Sequence, residues 1–436
     1  MAKALSTLRK KMFWGLDSIK GAPIKKHFEE IKSIIENPIS EETVRIKNTN
    51  LVRVLTHAAN TTPFYQVHSE FERLQDFPII NKSVILENFE AFKSFKFHGK
   101  KLHSVSSSGS TGIPFRIFQD KNKKNRNVAD VIYFSGQGGH VLGDKLYFLK
   151  LWDYKNQKGR LVSWLQNIYA HNVMDTSEED LIGLVSDLVN DKRPKNILGY
   201  PSFFEVLCDF LDTMDVSPNI QCTNSVISFA ESLKAKERER MANYFKTNVY
   251  ARYSNQENGI LAQETIEEPN KLILNWGSYY FEVLALDSDE HVKKGELGRL
   301  VITDLFNYAM PMIRYDTGDM VIYEESDAVP YFSSVFGRRM DTIFNTVGGI
   351  ISPHIFYMVL DYGKIHQFQF AQIGKKDYVF RLNANKEEVQ EDQIVTFFKE
   401  HLGVDANISF EYVVEIPLLS SGKRKKVTNE YLQVTK

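Results

Sequence analysis

Apolar residues in this chain change their spacing several times, and each change marks a different kind of element. From about residue 128 to 300, short apolar runs alternate with helical periods; the runs include Lys145 to Leu151, Asn196 to Gly199, Ser225 to Phe229 and Val249 to Tyr253. Short apolar runs bounded by turns read as buried strands, and their alternation with helices predicts an α/β fold with a parallel sheet covered by helices. Residues 271–335 carry β-branched and aromatic residues between turns, as in Lys271 to Asn275 and Phe281 to Leu286, which predicts a small antiparallel β unit. Phe115 to Phe118 alternates as a short strand, and Asp120 to Arg126 reads as a basic, solvated hairpin tip. Residues 1–50 read as helical. In Thr62-Pro63-Phe64-Tyr65 and Phe77-Pro78-Ile79-Ile80-Asn81-Lys82, each proline stops a helix. The last hundred residues, from Gly337-Arg338-Arg339, alternate strand and helix again and end in a Lys-rich loop, so a domain boundary is expected near 337.

Composition narrows the class. A chain of 436 residues is long enough for two or three domains, and 43% hydrophobic with 25% charged residues is ordinary for a globular protein. A net charge of −1 gives no general attraction to nucleic acid. Two cysteines, Cys208 and Cys222, exclude a disulfide framework and a Cys-rich zinc site and suit a reducing compartment. No apolar run approaches the roughly 20 residues that span a bilayer, and no secretory h-region opens the chain, so a cytoplasmic protein is expected. The first segment is locally basic, with Lys3, Arg9, Lys10, Lys11, Lys20, Lys25 and Lys26 interrupted by Phe13, Trp14 and Leu16. It reads first as helix packed on the main domain through its aromatics, and second as a membrane-surface helix.

The candidate chemistry centres on Ser106-Ser107-Ser108-Gly109-Ser110-Thr111-Gly112-Ile113-Pro114. Glycines let backbone approach a ligand closely, and successive N–H groups in such a loop form an anion-binding concavity. The hydroxyls of Ser107, Ser108, Ser110 and Thr111 add neutral donors. The expectation is a loop around a polyphosphate; the competing reading is a surface turn of small polar residues. No Walker A motif occurs, and no GxGxxG follows an expected strand.

This loop resembles the SSGTTGxP signature of AMP-forming adenylating enzymes, and later stretches match the same order. Ala230-Glu231 resembles the phrase whose backbone borders adenine, although a plain strand-to-helix turn capped by Ser232 has the same sequence. Tyr253-Ser254-Asn255-Gln256-Glu257 resembles the motif in which an aromatic residue lies on adenine and a glutamate helps hold Mg²⁺. Gly295-Glu296-Leu297-Gly298-Arg299 is followed by Arg314-Tyr315-Asp316-Thr317-Gly318-Asp319, where the resemblance gives Asp319 the ribose hydroxyls. Gly337-Arg338 resembles the opening of the C-terminal domain, with Arg338 on ribose or α-phosphate. Ser420-Ser421-Gly422-Lys423 resembles the loop that carries the catalytic lysine, here Lys423. The sequence departs from the family at Ile113, Ser254, Gln256 and Asp316.

Over nearly its whole length the chain resembles the phenylacetate–CoA ligase family, and most of all the homologues of capsule and surface-polysaccharide systems. The resemblance implies a large N-terminal adenylate-forming domain, residues 1–336, and a mobile C-terminal α+β lid, residues 337–436. It implies ATP, Mg²⁺ and a carboxylic acid as reactants, with the acid near Gly199-Tyr200-Pro201-Ser202-Phe203-Phe204 and Tyr253, where core packing explains Phe203 and Phe204 equally well. Coenzyme A is the implied acceptor. An amine or carrier-protein thiol is the alternative acceptor, and a non-catalytic nucleotide-binding regulator is the alternative of another class.

Overall fold

Three helices open the chain: α1 (Ala2–Ile19), α2 (Pro23–Glu36) and α3 (Glu41–Thr61). The computed structural model describes residues 2–107, 115–152, 160–214, 218–286, 288–338, 343–351, 353–417 and 425–431. Ser40 caps α3 by accepting the Thr43 N–H at 3.2 Å, and Pro63 follows its C-cap, Thr62. Asn81 likewise caps α4 (Lys82–Glu87) by accepting the Val84 N–H at 3.0 Å. Strands β1 (His103–Ser107) and β2 (Phe115–Gln119) pair antiparallel with Ser107 opposite Phe115, and β2 buries Phe115, Ile117 and Gln119 on one face.

The stretch read as a solvated hairpin tip is the start of a helix, α5 (Lys121–Gln137), and its basic residues Lys123 and Arg126 are buried. Asp120 is the N-cap and accepts the Lys123 N–H at 3.0 Å. Lys123 Nζ lies 2.7 Å from Asp304 Oδ2 with both side chains fully buried, and it donates to the Tyr279 hydroxyl at 3.0 Å. Arg126 meets Glu30 at 2.8 Å, donates to the Ser278 hydroxyl at 2.8 Å and lies over the Phe306 ring. A run of Lys and Arg reads as solvated only while its partners, which come from distant strands, are out of view.

The parallel strands are β3 (Lys145–Lys150), β4 (Ile168–Asn172), β5 (Lys195–Gly199), β6 (Thr223–Phe229) and β7 (Val249–Asn255). Between them run α6 (Arg160–Gln166), α7 (Glu178–Asn190), α8 (Pro201–Asp212) and α9 (Ala235–Phe245). The antiparallel strands expected over 271–335 are β9 (Leu272–Leu274), β10 (Tyr279–Leu284), β11 (Leu297–Asp304), β12 (Tyr315–Ser326) and β13 (Val329–Arg338). They extend the same sheet through β8 (Gly259–Gln263), giving an 11-stranded order β10-β11-β12-β13-β9-β8-β7-β6-β5-β3-β4. One core, with Tyr65, Phe77, Phe92, Tyr279 and Phe332, fills the antiparallel half; another, with Leu184, Phe203, Phe204, Leu207 and Met241, fills the parallel half. Packing is tight at Gly199, where a Cβ would stand 3.0 Å from the Phe204 ring and 3.1 Å from the Leu149 Cβ, so a side chain there would push these neighbours back.

The chain divides into two compact units, 1–317 with 321–335 and 318–320 with 336–436. In the second unit β14 (Ile343–Phe344) pairs with β15 (Ile350–Ile351). Strands β16 (Gly363–Gln372), β17 (Asp377–Val389), β18 (Asn407–Tyr412) and β19 (Val427–Asn429) form a sheet in the order β18-β17-β16-β19. Helix α10 (Glu391–Leu402) packs on it through Phe398, against Phe356, Phe370 and Phe380. Among the described residues no helix is long and apolar enough to cross a membrane.

Candidate active site

The phrase Phe77 to Lys82 meets the sheet through a single parallel β-bridge between Ile80 and Tyr315. Ile80 N–H donates to the Arg314 carbonyl at 3.0 Å, and Asp316 N–H donates to the Ile80 carbonyl at 2.8 Å. Arg314 locks the arrangement: its guanidinium makes two 3.1 Å bonds to Glu282 and a third, 3.2 Å, to the Phe77 carbonyl. Arg314 has φ 49°, a left-handed conformation that a long side chain adopts only when its surroundings impose it. The consequence is positional, because Lys82 at the start of α4 is delivered to the turn that follows β7.

That turn holds Glu257. Asn255 fixes it by accepting the Asn258 N–H at 2.8 Å, and the Gln119 amide donates to the Glu257 carbonyl at 3.0 Å. Glu257 is 4% exposed. Lys82 Nζ lies 2.9 Å from Glu257 Oε1, and the Tyr315 hydroxyl donates to the same oxygen at 2.9 Å. Lys82 also sits over the Phe115 ring at 4.9 Å, and that ring is parallel to Tyr315 within 2°. Burial raises the Glu257 pKa, but the charge and hydrogen bond of Lys82, with the Tyr315 bond, outweigh it, and the net shift is downward. Glu257 is therefore a buried carboxylate held ionised, one side chain away from Phe115, the residue that follows segment 108–114.

The other expected site residues are spread along the sheet. Tyr253 on β7 is half-buried and meets the Phe332 ring at 6.5 Å, tilted 69°. Ala230 follows β6 with φ 72°. Glu231 turns its carboxylate onto α8, accepting the Ser202 N–H at 2.9 Å and its hydroxyl at 3.0 Å. Helix α9 begins later than a Ser232 cap would place it, with Lys234 as N-cap. Asp319 follows Gly318, φ 77°, within β12, so the Thr-Gly-Asp phrase is strand rather than turn. Asp316 forms an ion pair with Arg299 at 2.9 Å. Ser107 ends β1 and Arg338 ends β13. Ser108, Gly109, Ser110, Thr111, Gly112 and Lys423 lie outside the described residues. Phe203 and Phe204 belong to the core of the parallel half.

No family model matches the sequence. Protein CapK of Staphylococcus aureus is 22% identical over 437 residues, covering 93% of this chain and 92% of its own length. Phenylacetate-coenzyme A ligase of Pseudomonas putida is 23% identical over 366 residues, covering 78% of this chain and 82% of its own. Among solved structures, 2-hydroxyisobutyryl-CoA ligase in the postadenylation state, in complex with 2-HIB-AMP, superposes with a TM-score of 0.69 at 17% identity, over 89% of this chain and 90% of that one. The chain is similar in sequence to phenylacetate–coenzyme A ligases and shares the fold of 2-hydroxyisobutyryl-CoA ligase.

The sequence singles out Glu257, at the end of a motif, but not the groups that hold its carboxylate. The phrase containing Lys82 stood out for its proline, yet nothing local marks the lysine; its partner lies far along the chain and is met only through the Ile80–Arg314 pairing. Tyr315 sits inside a motif in which the acids draw the attention. Among the described residues no three His, Cys, Asp or Glu side chains gather into a cation cage. A single hard carboxylate such as Glu257 fits an ion that takes its remaining ligands from water and substrate phosphates, as Mg²⁺ does.

Proposed function

We propose that this protein is an AMP-forming acid–thiol ligase. A carboxylate oxygen attacks the α-phosphorus of ATP; the new acyl–oxygen–phosphorus link forms as the bond to pyrophosphate breaks. A thiolate then attacks the acyl carbon, a thioester forms, and AMP leaves with the electron pair of the broken acyl–oxygen bond. The observation that carries this reading is the buried Glu257, ion-paired with Lys82, which in turn lies over Phe115, the residue that follows segment 108–114.

The roles follow from the chemistry of each group. Negative charge accumulates on both partners of the first step, so fixed or delivered cations lower its barrier. Magnesium, bound with the nucleotide phosphates, supplies such charge, and Glu257 is the residue that would hold it. Backbone and hydroxyl groups of Ser107, Ser108, Gly109, Ser110, Thr111 and Gly112 would hold the phosphates. Ala230, Glu231 and Tyr253 would border adenine, and Asp319 and Arg338 the ribose. Lys423 would arrive with the 337–436 lid during adenylation. Coenzyme A is the proposed acceptor and the cytoplasm the proposed compartment; an amine or a carrier thiol in surface-polysaccharide assembly would use the same first step.

The test is a panel of carboxylic acids scored by ATP–pyrophosphate exchange, followed by an acceptor screen with the acid that works. One class of acid should support exchange, and thioester should form with coenzyme A. Nucleotide binding without exchange for any acid would instead favour the regulator; exchange without thioester would move the acceptor to an amine or carrier.

A further inference from the structure

Helix α1 is mounted with its aliphatic side outward. The face against the protein is the one with Ser6, Phe13, Trp14 and Asp17. Trp14 packs on Phe28, which packs on Tyr133 of α5. The Ser6 carbonyl sits where a Cβ on Gly143 would be, and Gly143 has φ 99°. Asp17 is buried and accepts the backbone N–H groups of Ile24 and Lys25 at 3.1 and 2.9 Å, capping α2. The opposite side carries Leu5, Leu8, Met12, Leu16 and Ile19, spaced three or four residues apart and therefore in one stripe. All five are exposed, from 45% for Leu5 to 84% for Ile19. Beside the stripe, the Arg9 guanidinium lies over the ring of Trp164, itself 63% exposed.

Globular helices turn such a stripe inward, so an outward one marks an interaction surface. The charge around it identifies the partner. Residues 1–26 contain seven Lys and Arg against one acid, Asp17, although the whole chain has a net charge of −1. The carboxylate of Asp17 is turned away from the stripe into the α2 cap, so the ionised groups of α1 that face outward are cations. An aliphatic stripe with a cationic border and an exposed indole matches a surface that is apolar just beneath a layer of negative charge. We propose that α1 and Trp164 dock this protein on an anionic lipid surface, with the stripe entering the headgroup–acyl boundary and the Lys and Arg side chains meeting lipid phosphates. This surface is independent of the ligase chemistry.

The experiment is co-sedimentation of the full chain with vesicles of phosphatidylcholine alone, and of phosphatidylcholine and phosphatidylglycerol in equal parts, at low and high salt. The protein should pellet with the anionic vesicles roughly tenfold better than with neutral ones, and high salt should remove most of the difference. Leu8→Ser combined with Leu16→Ser changes exposed positions only; it should abolish pelleting and leave vesicle-free ATP–pyrophosphate exchange unchanged. The proposal is overturned if anionic vesicles do not pellet the protein, if salt has no effect, or if the double variant pellets normally. It is also overturned if sedimentation velocity without lipid shows a dimer that the double variant dissociates, because the stripe would then belong to a second copy.

Discussion

Lys82 Nζ and Glu257 Oε1 stand 2.9 Å apart, and the ammonium nitrogen is itself buried, so the 21% exposure of the Lys82 side chain belongs to its stem, while Glu257 is 5% exposed. The pairing matters. A buried carboxylate without a partner takes up a proton, and a protonated acid is a poor ligand for a cation. The Lys82 charge holds the Glu257 carboxyl below its ordinary range against the opposing effect of burial.

Removing the ammonium should therefore expose the cost of burial. In the native protein the Glu257 pKa is depressed below the unfolded value of about 4.3, so the group contributes stability above that pH and loses it as pH falls through the lower folded value. In Lys82→Met burial dominates and the folded pKa rises above the unfolded one. The variant should be less stable by about 1–3 kcal/mol at neutral pH, and its deficit should shrink on acidification. Urea unfolding of both proteins from about pH 4 to 7 checks this; a deficit that does not change with pH would remove Lys82 as the group that keeps Glu257 charged.

Glu257→Gln keeps an oxygen for the Tyr315 hydroxyl and deletes the charge. Pyrophosphate exchange should fall by roughly 10²–10³, the loss seen when one charge-stabilising group leaves an active site. Calorimetry should show weaker binding of ATP in the presence of Mg²⁺, with less change in its absence. Combined with Lys82→Met, the stability losses should fall short of additive by about 0.5–3 kcal/mol, because each single change strands a partner that the double change removes. Additive losses would mean that the pair is not coupled.

These two residues also show what the sequence carries. The strands, their alternation with helices and the helix-stopping prolines were legible because each depends on local spacing or backbone chemistry, as at Val249 to Asn255 and at Pro63. Glu257 was legible because it closes a recognisable phrase. Lys82 was not, because its meaning comes from a pairing between Ile80 and Arg314 that no periodicity records. Lys123 and Arg126 were misread for the same reason: a Lys-rich run on a surface and one aimed at a buried aspartate have the same composition. The exposed stripe on α1 is a further case, since periodicity gives an apolar face but not the direction in which the fold turns it.

Lys123 gives that correction a measurable consequence. Its ammonium and the Asp304 carboxylate are fully buried 2.7 Å apart. Lys123→Met leaves the carboxylate without a counter-charge in the core of the sheet and should cost about 3–5 kcal/mol in chemical denaturation. Lys123→Met with Asp304→Asn should recover part of that loss. A residue at a solvated turn would instead change stability by no more than about 0.5 kcal/mol, and that result would overturn the buried placement.

Lys423 separates the two proposed half-reactions. Adenylation expels pyrophosphate, and a lysine brought to the phosphates offsets charge that builds up only in that step. Lys423→Ala should lower pyrophosphate release from ATP and acid by roughly 10²–10³. Transfer of the acyl group from a supplied acyl-adenylate to coenzyme A involves no pyrophosphate, so it should proceed at close to the native rate. Stability should change little, since Lys423 stands among Ser, Gly, Lys and Arg in the sequence and belongs to no apolar pattern. The measurement is both assays on one preparation. Equal losses in the two steps would make Lys423 a general binding residue, and no loss in either would move the role to Lys425 or Lys426, which the same pair of assays would then test.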